Sequence, residues 1–163
     1  MNPTVSTRRE SVEKLEREYI GLLTELTTLV QSTPQSSLYQ PAAPSQGSIA
    51  ENVIKSAGSL EQTLGGLTSN LWDDPFEWTL PETLSTTDLI IEYLAEVEVA
   101  RGIAFARFVD DSALDKYIAV PSGDQKSIQT VLIDALERAT SYRRRAVELR
   151  NLLSADGAAG FII

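Results

Sequence analysis

The sequence predicts an all-α protein built as a four-helix bundle. The strongest observation is the stretch from about Ser127 to Leu153. Ile128, Leu132, Ala135, Ala139, Tyr142, Ala146, Leu149 and Leu153 recur there at alternating steps of four and three. That spacing lets a helix bury a narrow stripe against other helices. Second, three earlier stretches carry the same period less regularly and read as its partners. Third, capping residues open the stretches, and proline and glycine fall between them.

The first helix opens at Thr7 with Glu10, a capping box, with Ser6 as an alternative cap. Val12, Leu15, Tyr19, Leu22, Leu26 and Leu29 form its core stripe, and Glu13, Lys14, Arg17, Glu18 and Glu25 its solvent face. Pro34 ends it near Gln31, because proline disfavours helix in the residue before it. Gly21 sits mid-helix at a cost of about 1 kcal/mol against alanine, which a close helix crossing would explain. Residues 32–48 form a long crossover rich in Ser, Pro and Gln, strapped to the bundle by Leu38 and Tyr39. Ser48 with Glu51 caps a second helix whose stripe is Ile49, Val53, Ala57, Leu60 and Leu64. Gly65-Gly66 stops it.

Residues 67–84 form an aromatic loop, since Pro75 and Pro81 exclude a long helix. Trp72, Phe76 and Trp78 either plug one end of the bundle or make a patch for a ligand or partner. Asp73-Asp74 beside them is a weak signal for a hard cation. Ser85 with Asp88 caps a third helix running to about Phe108, with Leu84 at the staple position. Its inner stripe is Leu89, Ile90, Tyr93, Val97, Ala100, Ala104 and Phe108. Val99, Ile103 and Phe105 widen that stripe, and a helix apolar on more than one face is central or covered by a second chain. Residues 109–123 connect to the last helix and end in the turn Pro121-Ser122-Gly123-Asp124. Asp156-Gly157 stops the last helix, leaving the tail 157–163 with Phe161, Ile162 and Ile163 too apolar to stand freely in water. The whole chain, 1–163, reads as one helical-bundle domain.

Composition removes several classes of function. The 163 residues are 42% hydrophobic, enough for one domain with a real core. The net charge of -9 repels nucleic-acid phosphates and anionic lipid surfaces, so neither is an expected partner. There is no cysteine and no histidine. The chain therefore has no thiol nucleophile, no thiolate metal site, no imidazole base and no imidazole ligand. Glu92 and Glu96 share one side of the third helix, but carboxylate di-metal bundles pair glutamate with histidine, so no metal is expected there. No apolar run reaches the roughly 20 residues of a membrane span. The polar Met1 to Glu10 lacks a signal peptide's apolar region, which gives the expectation of a soluble, cytoplasmic protein.

Residues from about Ile49 to Leu153 resemble the DinB-like family of putative metalloenzymes. The carriers are SLEQTLGGLTSNLW, STTDLIIEYLAEVEVA, and the turn at 121–124 followed by LERATSYRRRAVEL. In that family a turn precedes a helix bearing H-x-x-x-H-R-G-Q. The resemblance implies a four-helix bundle, often dimeric, with three histidines holding a divalent metal and thiol-dependent S-transferases among its members. In this chain Tyr93 occupies the first histidine position, and Arg138 and Tyr142 occupy the pair. Arg143 keeps the following arginine, and Arg144-Arg145 replace glycine and glutamine. The resemblance thus implies a kept fold and a lost metal site, with no cofactor. Tyr93, Arg138 and Tyr142 would then face one another, filling the former cavity or binding an anion.

The expected function is that of a non-catalytic, metal-free bundle acting through its surfaces, as a homodimer or a subunit of a larger assembly. A small-molecule binding module using Tyr93, Arg138 and Tyr142 is the second expectation, and an S-transferase-like enzyme the third. Trp72, Phe76, Trp78, Phe161, Ile162, Ile163 and the run Arg143, Arg144, Arg145 are the interaction candidates. Asp134–Arg138 and Arg144–Glu148 are expected as surface pairs. Arg138 and Arg145, flanking the stripe, are expected to reach Glu92 and Glu96 on a neighbouring helix.

Overall fold

Each three-four stripe leaves its helix with one face that water does not solvate well, and the fold buries those faces on one another. The computed structural model describes residues 8–41, 46–73 and 83–160, the side chains of 156–160 excepted. Four long helices carry the chain: α1 (Glu10–Gln31), α2 (Ile49–Ser69), α3 (Thr87–Ala106) and α4 (Ile128–Gly160). Between α3 and α4 lies a two-stranded antiparallel hairpin, β1 (Tyr117–Ala119) and β2 (Gln125–Ser127). α1 and α2 each pack against both α3 and α4, which leaves α3 and α4 at opposite corners of the bundle.

α4 holds the predicted phase. Leu132, Ala135, Ala139, Ala146 and Leu149 are fully buried, and Tyr142 and Leu153 are half-buried. Its buried alanines let α2 come close, and α2 meets them through the small, fully buried Ser56. The Ser56 hydroxyl donates to the Ala139 carbonyl at 2.6 Å, a bond between one helix and the backbone of the next. The Tyr19 hydroxyl does the same from α1, donating to the Leu132 carbonyl at 2.7 Å. Burial pushes the Tyr19 pKa far up, so the phenol stays a donor. On its other side Tyr19 meets Phe105 of α3 edge-on, with ring centroids 5.2 Å apart.

The stripes of α1 and α2 are buried as the spacing predicts. Ser48 caps α2, accepting from the Glu51 N–H. Leu38 in the crossover is fully buried, and the Tyr39 hydroxyl donates to the Leu84 carbonyl at 2.5 Å.

Several boundaries differ from expectation, each for a physical reason. Thr7 and Ser6 lie outside the described residues; the first helical residue of α1 is Glu10, and Arg9 at the N-cap gives no side-chain cap. The cap comes from far along the chain: Asp111 accepts from the N–H groups of Ser11 and Val12, both at 3.0 Å. Arg9 returns the contact, donating to the carbonyls of Phe108 and Phe105 beyond and at the end of α3. α2 does not stop at Gly65-Gly66 but runs to Ser69, where Asn70 takes the left-handed conformation at φ 54°. α3 is capped by Thr86 rather than Ser85, and ends at Ala106 rather than Phe108. Within α3, Leu94 and Phe105 are buried where Leu89 and Ala100 were expected, so the core face is rotated slightly from the predicted stripe. The hairpin was not anticipated; its strands have three residues each, too short for a period to show. α4 continues through Asp156-Gly157 to Gly160. No close crossing explains Gly21, since a Cβ there would meet nothing within 4 Å.

The Asp111 cap ties the start of α1 to the segment that follows α3. Asp111→Ala should therefore lower stability by about 0.5–2 kcal/mol in urea denaturation, the usual range for a lost N-cap. No measurable change would show that the cap does not form in solution.

Candidate functional site

Tyr93, Arg138 and Tyr142, expected to face one another, go to different surroundings. Tyr93 projects from α3 toward α2, and its hydroxyl donates to the Glu61 carboxylate at 2.5 Å. It lines a groove of about 280 Å³ with Thr83, Leu84, Leu89, Glu92 and Glu96. Tyr142 is half-buried on α4, with the Arg145 guanidinium 5.7 Å from its ring centroid. Arg138 is exposed and lines a cleft at the hairpin end of the bundle. Among the described residues no group of three His, Cys, Asp or Glu side chains is placed to hold a metal.

The arginine run is divided by the helical twist. Arg143 pairs with Glu25 of α1 at 2.6 Å, and Arg150 donates to the Ser32 hydroxyl. Asp134 pairs with Lys126 of β2 at 3.3 Å rather than with Arg138. Among the described residues Arg144 and Glu148 form no ion pair, and neither Arg138 nor Arg145 reaches Glu92 or Glu96. The reason is the corner arrangement: α4 faces α1 and α2, not α3. Of the α3 carboxylates, Glu98 pairs with Arg101, which also reaches Glu16 on α1.

Among the described residues, two further places could serve recognition. The first is the cleft that Arg138 lines, about 280 Å³ in volume, with Gln62 and Thr63 of α2, Trp72, Val120 and Pro121 of the hairpin turn, and Lys126, Val131 and Asp134. Of the predicted site residues, the structure brings Trp72 and Arg138 together here. Glycine at position 66 makes this possible: a Cβ there would come within 2.3 Å of the Trp72 ring. Gln62 fixes the same segment by donating to the Trp72 carbonyl at 2.9 Å, and the indole N–H donates to Asn70.

The second open place is the outer face of α3. Val99 is 63% exposed and Ile103 55% exposed, with Ala95 and Ala106 exposed beside them. The groove between α1 and α3, about 450 Å³, continues this surface through Ile20, Leu23, Ile91 and Ala95. Phe76, Trp78, Asp74, Phe161, Ile162 and Ile163 lie outside the described residues. Glu61, Gln62 and Lys126 were not foreseen as site residues; Glu61 meets Tyr93 across a helix contact, Gln62 the Trp72 carbonyl and Lys126 the Asp134 carboxylate, and none of these leaves a mark in local spacing. No helix among the described residues is long and apolar enough to cross a membrane.

No family model matches the chain, and no curated protein or solved structure matches it significantly.

The Glu61–Tyr93 pair has a pH signature. Burial pushes the Glu61 carboxyl above its ordinary range; the Tyr93 hydrogen bond opposes this, and the charge of Glu96 adds to it. A raised folded-state pKa means that the folded protein holds the proton more tightly than the unfolded chain. Its contribution is full below the unfolded value and is lost as pH rises through the folded value. On going from about pH 8 to about pH 5, the wild-type melting temperature should therefore rise relative to that of Glu61→Gln. Parallel pH profiles would show that Glu61 titrates as an ordinary exposed carboxylate.

Proposed function

We propose that the protein is a non-catalytic, metal-free helical bundle that acts through its surfaces as a homodimer, pairing through the outer face of α3. One observation carries this: Val99 and Ile103, large aliphatic residues on a helix already buried on its inner side, face water at 63% and 55% exposure. A contiguous apolar face of this kind marks an interaction surface. The charge pattern favours a second copy in antiparallel orientation. Glu92 and Glu96 are exposed in the first half of α3 and Arg107 is exposed at its end. A two-fold axis near Val99 sets the acids of one copy toward the arginine of the other, as an isologous contact requires. The DinB-like resemblance supports the same reading, because that family is often dimeric. Its S-transferase activity has no support here, since the chain has neither histidine nor cysteine.

Light scattering at tens of micromolar should return twice the chain mass of 17.8 kDa. Val99→Glu with Ile103→Glu should return the single mass with no loss of helicity, because both side chains are already in water in one copy. A wild-type protein at the single mass, or a double variant that stays paired, would overturn the proposal.

A further inference from the structure

We infer that the cleft between the end of α2, the hairpin and α4 is a binding site for a small planar aromatic carboxylate. This does not rest on the α3 face, which lies on another helix. The cleft of about 280 Å³ is at the small end of ligand pockets, which run roughly 300–1,000 Å³. Its walls divide by chemistry. Trp72, Val120, Pro121 and Val131 are apolar and supply a surface for a ring. Arg138 supplies the charge.

Arg138 is the one charge lining the cleft that no opposite charge matches. Lys126 and Asp134 satisfy each other at 3.3 Å, so the cleft's charged residues sum to one excess positive charge. Arg138 has no ion-pair or hydrogen-bond partner among the described residues. On a chain of net charge -9, a local positive site bordered by apolar walls concentrates small anions. A guanidinium binds a carboxylate through two parallel N–H···O bonds, which also fixes the plane of the ligand.

The aromatic wall is built into the fold. Gly65 and Gly66 lie inside α2 rather than ending it, so their lack of a Cβ is not explained by a helix stop. The Trp72 ring occupies the space a side chain at 66 would fill, and the Leu71 carbonyl lies 2.9 Å from where a Cβ of residue 65 would stand. Gln62 and Asn70 then hold the tryptophan from its backbone and its indole N–H. Gln62, Gly66 and Asn70 thus fix an indole in the cleft that Arg138 also lines. A neutral aromatic would use only the wall, and inorganic phosphate only the charge; an aromatic carboxylate uses both.

The test uses 1-naphthoate, its neutral analogue 1-naphthamide and inorganic phosphate, titrated into the full chain and followed by NMR. Naphthoate should bind saturably with Kd of about 1 mM or tighter, shifting the Trp72 indole resonance. The amide and phosphate should each bind roughly tenfold more weakly or worse. Arg138→Gln, an exposed position, should reduce naphthoate to the affinity of the amide and leave the amide unchanged. Trp72→Leu should weaken both aromatic probes. Equal binding of naphthoate and naphthamide, binding insensitive to Arg138→Gln, or no saturable binding of naphthoate would each overturn the inference.

Discussion

The structure depends on the close approach of α2 to α4. Ala135, Ala139 and Ala146 keep one side of α4 nearly bare, and α2 meets that side through the small, fully buried Ser56. Two helices with small residues at the seam can bring their backbones near enough for a side-chain hydroxyl of one to bond the main chain of the other, which Ser56 does at Ala139. Larger residues there would push the axes apart, leave voids elsewhere in the core and break that bond.

The remaining elements take their places from this pair. α1 reaches α4 through Tyr19 and Leu132, then carries α3 through Tyr19, Phe105 and the Arg101–Glu16 bridge. The reciprocal capping by Asp111 and Arg9 joins the start of α1 to the far end of α3. α3 touches no broad surface of α4, so among the described residues nothing covers its second apolar face. At the hairpin end, α4 and α2 stay fixed while the short turn at 120–121 and Trp72 close only part of the gap between them. One arrangement therefore leaves open both the face proposed for pairing and the cleft proposed for an anion.

Local periodicity made much of the fold legible. The α4 stripe could be read without error of phase because its steps never break, and the same holds for α1 and α2. α3 was harder: apolar residues surround it, so the stripe alone could not say that Leu94 and Phe105 rather than Leu89 and Ala100 turn inward. The Gly65-Gly66 pair shows the limit more sharply. As local signals two glycines mean a stop, but here Gly66 makes room for the Trp72 ring and Gly65 for the Leu71 carbonyl. Only the path of the returning chain distinguishes those meanings. The site was partly visible, in Arg138 and Trp72. They line one cleft because Gly66 admits the Trp72 ring beside α2, which local spacing does not show, and Glu61 acts through a contact with Tyr93 on another helix.

The α2–α4 seam can be probed directly by a substitution that changes only the space available. Alanine and leucine have similar helix propensities, so Ala139→Leu on a free helix face would leave stability nearly unchanged. At a seam packed as described, the larger side chain must force the helices apart, and urea denaturation should show a loss of about 1–3 kcal/mol. An Ala139→Leu protein as stable as the wild type would contradict the close packing on which this account rests.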